Sequence, residues 1–282
     1  MRITSLHTYP VKGCHRLDHS EVTVEPWGLT GDRRWMIVDS DGVGITQREA
    51  AGLTRLTARP RPGGLRLSAP DMSETDLTEP ADGPETQVRI FRSKNSVPAR
   101  VADTRWVSAL LGRDARLVWQ ADPSTRPVDG TAQPGDHVNL ADGYPISLAA
   151  TASLDAVNDW LAETGDEPVP IDRFRPNLVL TGAPAWAEDD WIGHRLRIGD
   201  VTFRVAGACG RCRVTTIDQE TGETGRQPLH VLGRHRRAGT RLLFAVNLLP
   251  DLPAGQTGRI RTGDPVTVLE RWLTSPAGVT TS

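Results

Sequence analysis

The residues best suited to chemistry form the segment Cys209-Gly210-Arg211-Cys212, in which two thiols flank a glycine and an arginine. Thiolates bind metals and act as nucleophiles, and the positive charges of Arg211 and Arg213 favour an ionised sulfur nearby. One interpretation is therefore a single thiolate that ligates a soft transition metal. Another is that both cysteines are small buried residues without a chemical role.

Two further interpretations of the cysteine pair need additional ligands or a particular local structure. A structural zinc site requires four ligands, and here the set would be completed by Cys14, His15 and His19. A dithiol of the thioredoxin type requires the pair at the start of a helix, whereas residues 213–217 are predicted to form a strand. Three cysteines are too few for a disulfide framework, and we expect none between Cys209 and Cys212.

Basic residues beside glycine or proline form a second group of candidates. They occur in the segments Tyr9-Pro10-Val11-Lys12-Gly13, Gly31-Asp32-Arg33-Arg34 and Arg173-Phe174-Arg175-Pro176-Asn177. Cationic side chains next to open backbone amides are what a phosphate or pterin-type anion requires. Lys12 stands out because it and Lys94 are the only lysines among 33 basic residues.

In their order along the chain, these segments resemble the MOSC family, proteins related to the C-terminal domain of molybdenum cofactor sulfurase. The resemblance runs from residue 1 to about 270 and is carried by the motifs YPVKGC, GLTGDRRWMIVD, TQRE, DGYPISL, RFRPNLV, AEDDW, GDVTF, CGRCRVTTIDQETG and GDPV. It implies an α+β fold, mostly antiparallel β, in which a β-barrel MOSC domain packs against an N-terminal β-rich domain. The members most similar in function would be bacterial counterparts of the mitochondrial amidoxime-reducing component.

The resemblance implies a molybdenum–pyranopterin cofactor at the seam between the two domains. Cys212 matches the family's molybdenum ligand, and Asp142 is assigned to catalysis on the metal side. Cofactor contacts are assigned to Lys12, Gly13, Arg33, Arg175, Asn177 and Arg211.

Two positions depart from the family pattern. Gly13 replaces a serine that is common there, so this position offers only its backbone amide to a phosphate. Tyr144 stands where animal relatives carry a serine.

The implied activity is the reduction of N-hydroxylated compounds, a class of small-molecule substrate. No cysteine follows Cys212, so we expect no iron–sulfur cluster in this chain. The resemblance implies a separate electron donor of the ferredoxin or cytochrome type, working with its reductase. The alternative is a non-redox module that binds the cofactor or carries a persulfide on Cys212. Pyridoxal phosphate is not expected, because in the sulfurase it belongs to a separate domain.

Composition narrows the function classes. The net charge is −2, with 33 basic and 35 acidic residues, which gives no general electrostatic case for nucleic acid. Residues 1–12 contain no apolar segment typical of a secretory signal, and no apolar stretch is long enough to span a bilayer. The few cysteines suit a reducing compartment, so we expect a cytoplasmic protein without a membrane span.

Local patterns predict the elements that would position these residues. Hairpins are expected over 34–46 and 53–67, a helix from 103 or 104 to 111, and a second helix capped by Ser153 on the outside of the barrel. Further strands are predicted at 196–205, 213–218, 242–249 and 264–269, and a mobile loop at 70–86. A segment rich in proline, glycine and aspartate suggests a boundary, giving domains 1–121 and 122–272 and a flexible tail 273–282.

Overall fold

The fold is dominated by short antiparallel strands. The computed structural model describes residues 1–90, 93 and 95–273. In order, its strands are β1 Arg2–Thr8, β2 Leu17–His19, β3 Glu21–Glu25, β4 Gly28–Leu29, β5 Trp35–Val38, β6 Gly44–Ile45, β7 Thr57–Arg61, β8 Gly64–Ser68, β9 Thr75–Thr78, β10 Glu85–Arg89, β11 Ser96–Asp103, β12 Arg116–Trp119, β13 Ile146–Ala150, β14 Leu178–Thr181, β15 His194–Ile198, β16 Val201–Arg211, β17 Arg237–Ala238, β18 Arg241–Pro250, β19 Gly258–Arg261 and β20 Val266–Arg271.

Helices are short and few. The α-helices are α1 Arg105–Leu111, α2 Thr151–Glu163, α3 Ala187–Asp190 and α4 Leu229–His235. Single 3-10 turns occur at Ala51–Arg55, Pro123–Thr125, Ile171–Phe174 and Arg213–Thr216. This confirms the predicted class, an α+β fold that is mostly antiparallel β.

The largest sheet runs in the order β2-β1-β14-β13-β18-β16-β15-β20, with β17 added to β18. Its neighbouring strands pair antiparallel except β13 and β14, which are parallel. Parallel neighbours require a crossover connection, and α2 provides it here. Smaller sheets have the orders β10-β11-β12-β5-β6, β19-β3-β4 and β7-β8-β9.

The first strand joins the two halves of the chain. β1 pairs with β14, in a register that aligns Leu6 with Leu178. Because Lys12 follows β1 and Arg175 precedes β14, this pairing places their two segments side by side. The contact is reinforced by His7, whose amide donates to the Asn177 carbonyl at 2.8 Å.

The described residues contain four buried apolar clusters, and the two largest lie under the large sheet and under the N-terminal sheets. The largest cluster packs on the large sheet and includes Leu6, Leu148 and Phe203, all fully buried. The second lies under the N-terminal sheets and includes Val11, Cys14 and further apolar residues. Burying one such side chain contributes roughly 1.5–3 kcal/mol, so the ends of β1, β5 and β16 are held on rigid supports.

Several local predictions are confirmed. The hairpin predicted over 34–46 is β5 and β6, which pair Ile37 with Ile45. The first predicted helix is α1, which ends at Gly112 in the left-handed conformation with φ of 63°. The hairpin predicted over 53–67 is β7 and β8, although residues 51–55 form a 3-10 turn rather than strand.

Three local predictions are wrong. The predicted loop 70–86 contains β9, which pairs Leu77 with Leu65 of β8, and it also contains the start of β10. Residues 213–216 are a 3-10 turn, tightened because the hydroxyls of Thr215 and Thr216 donate to carbonyls three residues back. Ser153 does not cap α2, which begins at Thr151; its hydroxyl donates to Glu188 instead. Of the predicted tail 273–282, residues 274–282 lie outside the described part of the chain.

Candidate functional site

The predicted site residues meet in one cleft of about 300 Å³. This is the size at which small-molecule pockets begin. Among the residues that line it are all eight that the sequence singled out, namely Lys12, Gly13, Arg33, Asp142, Arg175, Asn177, Arg211 and Cys212. Side chains from distant segments of the chain therefore share one cleft, while the role of each stays a prediction.

Lys12 is held at the cleft by an ion pair. Its Nζ donates to Asp142 Oδ1 at 2.5 Å and to the Leu140 carbonyl at 2.8 Å. Burial lowers the pKa of Lys12 to about 8, against the attraction of Asp142. The amine is therefore a cation at neutral pH that titrates at a lower pH than an ordinary lysine.

Asp142 bridges two cations while half of its side chain remains exposed. Its second oxygen accepts from Arg48 Nη2 at 2.9 Å. Desolvation alone would raise the pKa of Asp142, but the charges and hydrogen bonds of Lys12 and Arg48 hold it well below the usual range. Asp142 is thus a carboxylate at neutral pH, suited to accept hydrogen bonds rather than to give up a proton.

The loop that carries Asp142 is fixed by a buried arginine. Arg126 donates to the carbonyls of Asn139, of Ala141 at 2.6 Å and of Asp142 at 3.1 Å. Desolvation lowers the pKa of Arg126 to about 10, so it remains charged at neutral pH. Three carbonyls on one guanidinium leave this loop little freedom.

A fully buried carboxylate organises the next part of the cleft. Asp32 accepts from the Tyr9 amide at 2.7 Å, from Arg33 Nη1 at 2.6 Å and from Asn177 Nδ2 at 3.2 Å. Asn177 in turn accepts from Arg33 Nη1 at 3.1 Å. Arg33 and Asn177 are therefore locked in one hydrogen-bonded network.

Arg33 and Arg175 both place their guanidinium groups over the ring of Tyr9. Their guanidinium carbons lie 4.6 and 4.0 Å from the centre of the Tyr9 ring. Both residues have left-handed backbones, with φ of 46° and 49°, which costs roughly 1–2 kcal/mol per residue for a side chain other than glycine. Strain that packing maintains is typical of functional sites. Arg175 also donates to Gln219 at 2.8 Å.

Residues 209–212, which we call the cysteine wall, line the cleft where β16 ends. Cys212 Sγ accepts from Arg48 Nη2 at 3.2 Å, and Cys209 Sγ accepts from Arg211 Nη1 at 2.9 Å. Of the two arginines whose charges were expected to favour an ionised sulfur, Arg211 turns toward Cys209 and Phe174, while Arg213 is exposed.

The third thiol lies outside the cleft. Cys14 is fully buried in the N-terminal core, where desolvation raises its pKa to about 11. All three cysteines are free. Within the described ranges, no three side chains of the histidine, cysteine and carboxylate types gather as metal ligands, so the zinc interpretation finds no ligand set.

Sequence reasoning missed several residues that shape this site. Arg48, the hydrogen-bond donor to Cys212, lies in the TQRE motif after β6 but was not singled out. Gln47 and Gln219 exchange hydrogen bonds of 3.0 and 3.1 Å across the two halves. Their positions in the quoted motifs were the only available signal. Tyr144, which departs from the family pattern, lines the cleft, and its hydroxyl accepts from the Thr131 amide at 2.9 Å.

The donor set suits an anionic ligand that also takes a thiolate. Among the described residues, the lining carries one carboxylate, Asp142, and five cationic side chains, Lys12, Arg33, Arg48, Arg175 and Arg211. Arg211 Nε is buried without a hydrogen-bond partner in the part of the chain that the structure describes. The residues present therefore fit a phosphate-bearing group with a soft metal.

A cation-lined cleft with a thiol at the seam of two β-rich halves defines a protein built to hold an anionic, thiol-ligated group. Comparisons with known proteins identify the family. The model of the MOSC N-terminal beta barrel domain matches residues 1–114, and the model of the MOSC domain matches residues 135–267. The chain belongs to the MOSC family, as the sequence resemblance predicted.

Named relatives fall into two groups. Mitochondrial amidoxime-reducing component 1 of Mus musculus is 30% identical, over 95% of this chain and 82% of its own. Molybdenum cofactor sulfurase of Oryza sativa is 28% identical over 97% of this chain, which spans only 34% of that protein. The solved YUAD protein from Bacillus subtilis matches 95% of this chain and 94% of its own, at 11% identity and a TM-score of 0.43. In the described residues, no helix has the length and apolar character needed to cross a membrane.

Proposed function

We propose that this protein binds the molybdenum–pyranopterin cofactor and reduces N-hydroxylated compounds, with Cys212 as the protein ligand of the metal. The observation that carries the proposal is the cleft itself, where the Cys212 thiol lies among five cationic side chains and one carboxylate. The name of the amidoxime-reducing relatives, which match almost the whole chain, supports the choice of reaction.

Each lining residue has a task in this proposal. Lys12, Arg33 and Arg175 would hold the phosphate and the pterin by charge and hydrogen bonds. Gly13 would offer a backbone amide, Asn177 would keep Arg33 oriented, and Arg211 would contribute its buried Nε. The charge of the anionic cofactor would offset the five cations. It would thereby relieve the repulsion among them that the single lining carboxylate does not balance.

When bound, the group supplies two-electron oxygen-atom transfer, so that R–N–OH, two electrons and two protons become R–N–H and water. Asp142 stays ionised and would accept a hydrogen bond from the substrate's N–H or O–H, orienting it at the open side of the cleft. Lys12, with its pKa near 8, would keep Asp142 ionised and in place through their hydrogen bond of 2.5 Å. The electrons would come from a separate donor of the ferredoxin or cytochrome type with its reductase.

A second candidate function is sulfur transfer or cofactor binding without turnover, because the sulfurase relatives also match nearly the whole chain. In that case Cys212 would carry a persulfide, or the cleft would hold the cofactor without turnover. The contact between Arg48 and Cys212 Sγ suits an anionic sulfur equally well.

Protein purified from a host that makes the cofactor separates these functions. We expect about one molybdenum per chain, and turnover of an aromatic amidoxime by reduced methyl viologen. Metal analysis, amine product and cyanide-labile sulfur should be measured on the same preparation. Metal-free protein with labile sulfur on Cys212 would contradict the reductase and favour the carrier. A cytoplasmic location is proposed with the reductase and is tested by fractionation of the native host.

A further inference from the structure

A strongly basic segment lies outside the cleft. Residues 226–241 contain five arginines and two histidines but no aspartate or glutamate, in a chain whose net charge is −2. The segment forms α4, β17 and the first residue of β18. We call its cationic surface the α4 basic face, which consists of Arg226, His230, Arg234, His235, Arg237 and Arg241.

These arginines are exposed and largely uncompensated. Arg226, Arg234, Arg237 and Arg241 are all exposed. Arg226 reaches Asp166 only at 4.0 Å, and within the described ranges the other three make no ion pair. Exposed arginines elsewhere do find partners, as Arg261 does with Glu21 at 2.5 Å. Unpaired like charges repel one another, so this face is suited to an acidic partner.

The α4 basic face adjoins the cysteine wall. The strand β18 pairs Leu242 with Arg211, and β17 pairs Arg237 with the same Leu242. Arg241 donates to the Ala208 carbonyl, and its Nε would lie 3.1 Å from a Cβ on Gly210. Gly210 and Arg211 line the cleft, so the basic face begins one strand away from it.

A stack of rings fixes this face relative to the cleft. Phe174, which lines the cleft, stacks on Phe244 with centroids 3.7 Å apart, and Phe244 meets Trp186 edge-on at 6.1 Å. Trp186 then stacks on Trp160 at 5.3 Å, and Trp160 stacks on exposed His235 at 4.2 Å. Packed aromatic rings hold their neighbours in defined positions. A partner bound at His235 is therefore linked to the cleft by continuous packed side chains.

We propose that the α4 basic face is the docking surface for the electron donor, and that this donor is an acidic one-electron carrier protein. The proposal rests on the proposed function. Such a carrier binds twice per turnover and leaves one electron each time. Two electrons and two protons then convert R–N–OH to R–N–H and water, while two carriers are oxidised. A small substrate needs no such surface, whereas a carrier gains association rate from complementary charge.

The test compares charge-reversal variants with two kinds of reductant. Arg234→Glu/Arg237→Glu is compared with Arg59→Glu/Arg113→Glu, a control with two exposed arginines of the N-terminal half that have no ion pair in the described residues. Amidoxime reduction is driven either by reduced viologen or by an acidic carrier, using a plant-type ferredoxin and a soluble cytochrome b5 domain, each with its reductase. All variants must hold equal molybdenum.

We expect the α4 variant to lose about tenfold or more in kcat/KM for the acidic carrier at low salt, in line with electrostatic steering, and to lose the salt dependence. Viologen-driven turnover should stay unchanged, and the control variant should behave as wild type. Equal carrier kinetics in both variants, or wild-type protein that accepts viologen but neither carrier, would overturn the docking proposal alone. So would loss of binding to anionic vesicles or DNA with unchanged carrier kinetics. Failure of viologen itself with molybdenum-loaded wild type would overturn the proposed function and the docking role with it.

Discussion

The two walls of the cleft differ in the chemical groups that they present. The N-terminal wall matches its cations with carboxylates, pairing Lys12 with Asp142 and Arg33 with buried Asp32. The wall at the end of β16 carries two thiols and no carboxylate among its described lining residues. The first wall keeps more cations than carboxylates at the cleft, which suits holding an anion, whereas the second wall offers sulfur for a metal. Changes to the first wall should affect folding and retention, and changes to the second should affect turnover.

The sharpest test of this contrast uses the two thiols of one wall. Cys212→Ser should lower amidoxime turnover by at least about 100-fold, because even residues that only support a ligand cost 10–100-fold when changed. Cys209→Ser is the matched control and should cost mainly stability, since Cys209 packs against the α2 and α4 core. Steady-state rates per chain and molybdenum content check both variants. If Cys209→Ser loses the activity and Cys212→Ser keeps it, the ligand lies on the other sulfur.

On the N-terminal wall, Asp32→Asn should destabilise the protein by roughly 3–5 kcal/mol, because it leaves the largely buried Arg33 without its charge partner. Denaturant unfolding of the metal-free protein measures this. The matched control is Asp76→Asn, which breaks the exposed pair with Arg66 and should cost far less, because solvent screens an exposed ion pair. Equal costs in the two variants would show that the buried network is not what holds this wall.

Arg175 belongs to the wall that retains the anion. Arg175→Ala should lower the molybdenum bound per chain several-fold, while turnover per bound molybdenum changes little, because its partner would be the cofactor rather than the substrate. Arg173→Ala is the neighbouring control, since that side chain does not line the cleft. Metal analysis before and after dialysis, combined with rates, separates retention from turnover. A lower rate per molybdenum with full retention would place Arg175 on the substrate instead.

The smallest expected effect is a pH dependence from Lys12, whose folded-state pKa of about 8 lies below its usual 10.5. The folded protein loses this proton before the unfolded chain does, so Lys12 contributes increasing stability as pH rises from about 8 toward 10.5. Cofactor retention should fall over the same range, because the cation is lost. The conservative variant Lys12→Arg should show neither trend. Unfolding curves and dialysis at pH 7 and 9.5 check both, and parallel behaviour of the two proteins would contradict the assignment.

Motifs predicted which residues share the cleft, but not how their side chains pair. Sequence patterns could predict the residues that lie in short segments of unusual composition, namely Lys12, Arg33, Arg175 and Cys212. The contact of Arg48 with Cys212 depends on the β5–β6 hairpin, which delivers a side chain 164 positions away in sequence, and no local pattern encodes that. The sequence also does not show that Arg211 contacts Cys209 rather than Cys212, because sequence adjacency does not fix the direction of a long side chain.

The same limit applies to the elements. The turn at Gly112 was predictable because a left-handed helix end favours glycine. The strand β9 was hidden in an acidic segment, since its only apolar anchor is Leu77 and its pairing with β8 depends on tertiary contacts. Thr215 and Thr216 were predicted as strand residues from their β-branched type, but their hydroxyls bond back to the main chain and favour a tight turn.

The pairing of β1 with β14 also has a consequence for biosynthesis. Thr4 bonds to Val179, 175 positions later, and at 5–20 residues per second the ribosome needs roughly 10–35 s to supply that partner. During this interval β1 has an unsatisfied edge, the kind of surface that invites aggregation. Nascent chains should therefore depend on chaperones until residue 181 has emerged, and synthesis of the later strands β16, β18 and β20 should complete both the large sheet and the cleft.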